Sequence, residues 1–238
     1  MKSKLKKIHL SELDIGLLKY LHAVKVSTYD RVQRDVYPDH KLTSVGNRLR
    51  KIHNNGLIEI EHGRLILGGK RLVNLSQKGF QSYVRKGDEH RIELKSDSLF
   101  HDLCLNDIRA GFIQCADVIG YRTENQIQTW GECERGLNSD AMAVISKGSA
   151  QFSMAVEYER SHKPNQKYES LVAKYYDDDH TSGVLFIAES NQLMNRISGI
   201  ERQFYPSNKP KFFYGVYSTL MINDSLEFQN FNGDKLVI

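Results

Sequence analysis

Cysteine is scarce in this 238-residue chain, and what there is lacks pattern: Cys104, Cys115 and Cys133 form no CxxC pair and have no nearby histidine at zinc-ligand spacing. A zinc ribbon and a disulfide framework are thereby excluded, and the three thiols are expected reduced and in a core. Eleven residues separate Cys104 from Cys115, close to three helical turns, so the two share a helix face. Long apolar runs are also missing. The cluster Lys2, Lys4, Lys6 and Lys7 is followed by none, so no signal peptide or membrane span is expected and the reading is a cytoplasmic protein with no membrane partner.

A strong net charge is absent as well, but only in the total of +4. Residues 1–95 carry 20 Lys and Arg against 10 Asp and Glu, and residues 96–238 carry 13 against 19. The halves therefore stand at +10 and −6. A basic module suits a polyanion, because Lys and Arg displace counterions condensed on phosphates. The acidic half needs another role, either as a solvated surface or as carboxylates gathered for a divalent cation.

In the basic half, Ser11 with Glu12 and Asp14 marks a helix start, and Leu13, Leu17, Leu18 and Leu21 recur at helical spacing. Ser27 is expected to cap a second helix, Tyr29 to Val36, which ends ahead of Pro38. A third opens at Thr43, buries Val45, Leu49 and Ile52, and closes at Gly56. Its other face presents Ser44, Asn47, Arg48, Arg50, Lys51 and His53, side chains suited to phosphates and base edges.

Leu57 to Glu61 alternates like a half-exposed strand, and Arg64 to Leu67 and Leu72 to Leu75 follow, with Gly68-Gly69-Lys70-Arg71 as a basic turn. Ser76 to Val84 then reads as a closing helix. Three helices, a hairpin and a capping helix in this order resemble the winged helix domains of DNA-binding regulators. The resemblance implies that Ser44, Asn47, Arg48, Arg50, Lys51, Lys70 and Arg71 contact double-stranded DNA. Residues 85–98 carry mixed charge and few large apolar groups, and so read as a linker. The domain division expected is 1–90 and 91–238.

In the acidic half, Ser98 to Gly120 is expected as one long helix and Gln126 to Trp130 as a strand. Asp140 to Ser146 and Gln151 to Glu159 read as a hairpin around Lys147-Gly148-Ser149. Alternation puts Glu157 and Glu159 on one face, and pairing can bring Asp140 beside them. Unit charges about 5 Å apart repel by roughly 3 kcal/mol at an effective dielectric near 20, so such a trio calls for a cation, Mg²⁺ or Mn²⁺, or for raised pKa values. The plainer reading is a wet strand face with Arg160 as partner. Gly183 to Ala188 is expected as a buried strand, Asn191 to Phe204 as a helix and Phe212 to Ile222 as a strand. Asp177, Asp178 and Asp179 read as an exposed loop, and His162 and His180 as surface residues.

Asp140, a hairpin, Glu157-x-Glu159 and a helix with Lys167 and Lys174 resemble the PD-(D/E)xK nuclease pattern. With His101, Asn106-Asp107, Trp130, Tyr175 and Val184 to Ile187 added, the chain is similar to the replication-relaxation family and MobC-type plasmid relaxases. The resemblance implies an α/β (α+β) chain whose second module is a restriction-endonuclease-like mixed sheet. Asp140, Glu157 and Glu159 would be catalytic metal ligands, and Lys174 or Lys167 would supply the lysine whose usual place holds Glu159. Two functions stay open: a metal-dependent nickase acting on plasmid or mobile-element DNA, and a non-catalytic regulator whose nuclease-like module serves homodimer formation or partner binding.

Overall fold

The computed structural model describes residues 8–62, 68–85, 99–129, 139–206, 209–221 and 225–238. Two compact units result, residues 1–106 with 128–132, and residues 107–127 with 133–238. No helix among the described residues is long and apolar enough to cross a membrane.

In the first unit, α1 (Glu12–Val24) starts with a reciprocal cap: Ser11 Oγ accepts from the Asp14 backbone N–H while the Asp14 carboxylate accepts from Ser11 N at 2.6 Å. Leu17, Leu18 and Leu21 are fully buried, whereas Leu13 is largely exposed. Ser27 does not cap the next helix. It lies in a short strand, β1 (Val26–Thr28), and Thr28 takes the N-cap position of α2 (Tyr29–Val36) without a side-chain hydrogen bond. The chain then forms α3 (Leu42–Asn54), β2 (Ile58–His62), β3 (Arg71–Leu75) and α4 (Gln77–Tyr83).

The antiparallel sheet runs β1-β3-β2, with Val26 opposite Asn74 and Ile58 opposite Leu75. Arg64 to Leu67 fall outside the described residues. Gly56 follows α3 at φ +72°, the left-handed conformation that ends a helix at little cost in glycine. Gly79 is required by space, since a Cβ there would lie 2.1 Å from the Leu57 carbonyl oxygen. Helices and sheet bury one apolar cluster that includes Leu17, Leu21, Val32, Leu49, Ile52, Val73 and Phe80.

Next comes α5 (Leu99–Gln114), shorter than expected. Val118–Thr123 forms β4 instead, paired with β5 through an irregularity at Val118/Gly120. Gln126 to Thr129 is helical, within α6 (Glu124–Thr129), because Thr123 N–H and hydroxyl both reach Gln126 Oε1, half of a Thr-x-x-Gln capping box. Trp130 and Cys133 lie outside the described residues, and Cys104 and Cys115 are free thiols at half-buried positions rather than core ones.

The remaining elements are β5 (Ala141–Lys147), β6 (Ala150–Glu159), α7 (Asn165–Tyr176), β7 (Gly183–Ala188), α8 (Asn191–Phe204), β8 (Phe212–Val216), α9 (Tyr217–Leu220), β9 (Glu227–Gln229) and β10 (Lys235–Val237). The strand expected to reach Ile222 therefore stops at Val216 and turns into a short helix. The seven-stranded sheet runs β10-β9-β8-β7-β6-β5-β4 and is mixed: β6, β7 and β8 are parallel, the other pairs antiparallel.

The expected α+β architecture with a mixed sheet is thus present. Parallel neighbours need crossovers, supplied by α7 and α8, which cover the face bearing Ala155, Val184, Phe186 and Phe212. At 0% exposure, Glu201 on α8 accepts from Tyr176 and Tyr214 hydroxyls at 2.8 Å and from the backbone of Lys211 and Phe212 at 3.1 and 3.2 Å. That carboxylate ties α8 to α7 and to β8.

Candidate functional site

Burial on α3 alternates as a helix packed on one side requires. Val45, Leu49 and Ile52 face inward, and Ser44, Asn47, Arg50 and Lys51 are exposed. Arg50 Nη2 donates to Asn47 Oδ1 at 2.8 Å, which holds two candidate DNA contacts side by side. Arg48 is placed differently. Its Nε donates to Asp14 Oδ1 at 2.8 Å, its Nη2 to His9 O at 2.8 Å, and a very short contact joins Nη2 to Asp14 Oδ2.

Asp14 is 1% exposed. Burial pushes its pKa up, but hydrogen bonds from Arg48, Ser11 and Tyr37 outweigh this and hold it at about 2. Arg48 is therefore committed to the interior of its unit. At the start of the central strand β3, Lys70 pairs with Asp30 at 3.0 Å, both exposed, and the Arg71 guanidinium lies 5.8 Å from the centre of the Tyr29 ring.

In the second unit, Ala141 pairs with Val156, so Asp140 stands level with Glu157 at the next step of the register. Alternation from Met142 and Ala155, which pack under α7 and α8, puts Asp140, Glu157 and Glu159 on that same face. Each carboxylate has a protein donor. Asp140 Oδ2 accepts from Tyr158 N at 2.8 Å, and Glu157 Oε1 accepts a very short hydrogen bond from the Tyr175 hydroxyl. Glu159 accepts from Ser161 N at 3.2 Å and pairs with Lys163 Nζ at 2.5 Å.

Burial and the negative charges of Glu157 and Asp140 raise the Tyr175 pKa far above the ordinary tyrosine value, so its hydroxyl stays a donor. Burial would lower the pKa of Lys163, but the hydrogen bond and charge of Glu159 raise it overall. Among the described residues no group of three or more His, Cys, Asp or Glu is arranged to hold a metal ion. The three carboxylates share a face and an end of the hairpin, with Lys163 paired to Glu159 and the Tyr175 hydroxyl hydrogen-bonded to Glu157.

Among the described residues, neither Lys167 nor Lys174, the lysines expected to serve the site, is hydrogen-bonded or ion-paired to these carboxylates. Lys167 and Lys174 each precede a buried tyrosine, Tyr168 and Tyr175, and are exposed. Lys163, four residues beyond Glu159, takes the place the sequence assigned to them. Asn106 belongs to a buried polar cluster of the first unit, donating to Tyr20 Oη at 2.8 Å and Ser27 Oγ at 3.1 Å. Asp107, in the second unit, accepts from the Tyr217 hydroxyl at 3.2 Å. Asp177 to Asp179 form the expected loop, where Asp178 accepts from Thr181. A cavity of about 720 Å³ lies at the other end of the sheet, between Phe152, Met154, Phe213 and Leu236, and includes none of the expected site residues.

No family model matches the chain, and neither does any curated protein. A solved structure, the restriction endonuclease FokI bound to DNA, is similar at a TM-score of 0.29 and 13% identity, over 88% of this chain and 43% of that one. At that TM-score the likeness supports no inference about fold or function. The resemblance to the replication-relaxation family therefore stands on the residues named for it alone.

Proposed function

We propose that the chain is a double-stranded DNA-binding protein, with a winged helix-turn-helix over residues 1–90 and a nuclease-like mixed-sheet module over residues 91–238 that acts without catalysis. One observation carries this reading. The third helix of a half charged +10 buries one face completely and turns Ser44, Asn47, Arg50 and Lys51 outward. Polar fork-shaped and amide side chains on one exposed helix face are the chemistry that reads base edges and anchors phosphates. Lys70 and Arg71, at the start of β3, would touch the backbone beside the groove.

The order helix, strand, helix, helix and hairpin, with the sheet arranged β1-β3-β2, supports the winged-helix assignment. Gel shift or fluorescence anisotropy with a duplex should show log K falling with log salt, by about 0.9 for each phosphate neutralised. Arg50→Ala and Lys51→Ala should each flatten that slope. A parent protein with no duplex affinity at 50 mM salt overturns the reading.

The module is assigned a non-catalytic role because its three carboxylates are held by Tyr158, Tyr175, Ser161 and Lys163 rather than gathered around a vacant centre. Oxygen ligands such as Asp140 and Glu157 match Mg²⁺ or Mn²⁺ in kind. Glu159, doubly engaged by Ser161 and Lys163, does not fit as a third ligand. A homodimer or a protein partner is the use this reading assigns to the module, and light scattering of the full chain tests the former.

The nickase reading keeps one specific support, the placement of Asp140 and Glu157 level on adjacent strands with Lys163 beside them. Incubation with supercoiled DNA and Mg²⁺ or Mn²⁺ separates the two. Nicking that EDTA abolishes, and that Asp140→Asn removes, would replace the regulator reading by a nickase acting in plasmid or mobile-element DNA processing.

A further inference from the structure

Arg196, on α8, has an unusual set of partners. Its Nε and Nη2 both donate to Asn165 Oδ1, at 2.8 and 2.5 Å, and its Nη1 lies 3.3 Å from His162 Nδ1. The guanidinium carbon sits 5.7 Å from the centre of the Tyr168 ring. Among the described residues no carboxylate pairs with it. An arginine fixed on three sides by neutral groups keeps its whole positive charge for something else.

The donor count says what that is. A guanidinium has five N–H groups, one on Nε and two on each terminal nitrogen. Asn165 and His162 take three of them, which leaves one N–H on Nη1 and one on Nη2, charge-assisted donors suited to phosphate oxygens. The accepting role of His162 Nδ1 also fixes the tautomer that carries its proton on Nε2, a further outward donor. Lys163 is taken up by Glu159, but Lys167, two residues after Asn165, is exposed and carries no carboxylate partner among the described residues.

We propose that Arg196, positioned by Asn165 and His162, binds a backbone phosphate of the DNA duplex and gives the second module its own grip on the nucleic acid. The proposal rests on the DNA-binding reading above, and goes beyond it by adding a contact far from α3 in the sequence. Arg196 is the residue that touches the phosphate, while Asn165 is a positioning residue that holds the guanidinium plane.

The test uses the full chain and a 30-base-pair duplex, titrated between 50 and 200 mM salt. Arg196→Ala should weaken binding about tenfold at the low-salt end and make the slope shallower by about 0.9. Arg196→Lys keeps the charge and loses the fork, so the slope should stay while affinity falls several-fold. Asn165→Ala should do the same as Arg196→Lys, because it loosens the plane without removing charge. Arg50→Ala with Arg196→Ala should add their effects, as independent contacts do.

A purely structural tie between α7 and α8 would give a different pattern: lower melting temperature for Arg196→Ala, with affinity and slope of the folded protein unchanged. That result overturns the proposal and leaves the first reading intact if Arg50→Ala still weakens binding. Should Arg196→Ala fail to fold, parental affinity in Arg196→Lys overturns it instead. A parent that binds no duplex overturns both.

Discussion

Replacing Arg48 by alanine should act on the stability of the first unit rather than on the exposed face of α3. The reason is Asp14, 1% exposed, whose carboxylate takes two hydrogen bonds from that guanidinium and whose pKa is held at about 2 against an ordinary 3.8. That depression corresponds to about 2 kcal/mol of native-state stability at neutral pH. Removing one partner of a buried pair leaves an uncompensated charge, which typically costs 3–5 kcal/mol. With Arg48 itself partly exposed, and Ser11 and Tyr37 still donating, about 3 kcal/mol is expected.

The pH dependence gives the stricter test. In the parent, a depressed carboxylate contributes stability that is complete above about pH 4 and is lost as pH falls toward 2. In Arg48→Ala, burial raises the Asp14 pKa, so acid neutralises the orphaned charge and relieves the damage. The gap between parent and variant, measured by urea unfolding followed by circular dichroism, should therefore be widest at pH 7 and narrow toward pH 3. Arg50→Ala, on an exposed position, should stay within about 0.5 kcal/mol of the parent at both. An Arg48→Ala gap below about 1 kcal/mol, or one independent of pH, refutes the reasoning.

Gly79→Ala should destabilise by about 3 kcal/mol in thermal melts, because its Cβ would press on the Leu57 carbonyl at 2.1 Å and neither backbone can retreat cheaply. Glu201→Ala orphans two tyrosine hydroxyls and the Phe212 N–H in the core of the second unit, and leaves the Lys211 N–H only the Tyr176 hydroxyl at 3.3 Å; it should lower the urea midpoint by the equivalent of about 3 kcal/mol. Lys163→Met exposes Glu159 to its neighbours but is screened by solvent on the lysine side, so a loss of about 1 kcal/mol is expected from the same measurement.

Legibility in the sequence followed the range of the interaction responsible. The Ser11 cap, the α3 stripe, the Gly148 hairpin and the buried β7 are set by neighbours within a few residues, and periodicity finds them. β1 escaped because three residues show no period, and Ser27 looks like a cap until the β1 pairing with β3 is known. The end of α5 was misplaced because Ile119 continues the apolar stripe of Phe112 and Ala116, although in the structure it is 54% exposed on an edge strand. α6 had a local signal that was overlooked, the Thr123-x-x-Gln126 box.

For the acidic site, alternation and register were readable, since both follow from strand geometry. The partners were not, because Tyr175 arrives from a helix eighteen residues further on and Arg48 meets Asp14 across thirty-four. Lys163 is the intermediate case. Its spacing from Glu159 was available, but nothing in the sequence ranked it above Lys167 and Lys174.

The arrangement of these partners bears on which function the second module serves. Carboxylates placed together for metal chemistry repel one another in the empty state, and such a cluster is stable only with a cation or with protons. Here the repulsion between Asp140, Glu157 and Glu159 is already met from within, by a lysine ammonium, a tyrosine hydroxyl and two backbone N–H groups. A divalent ion entering this site would have to displace Lys163 or Tyr175 to gain a third oxygen ligand; displacing Lys163 breaks its ion pair with Glu159, and displacing Tyr175 leaves a buried hydroxyl without its acceptor. If the regulator reading is right, Tyr175→Phe together with Lys163→Met should create what the parent lacks, a strained carboxylate group. Calorimetry should then detect Mn²⁺ binding in the double variant and none in the parent. Binding in the parent of equal strength would mean that the internal donors yield readily to metal, and would return the site to catalysis.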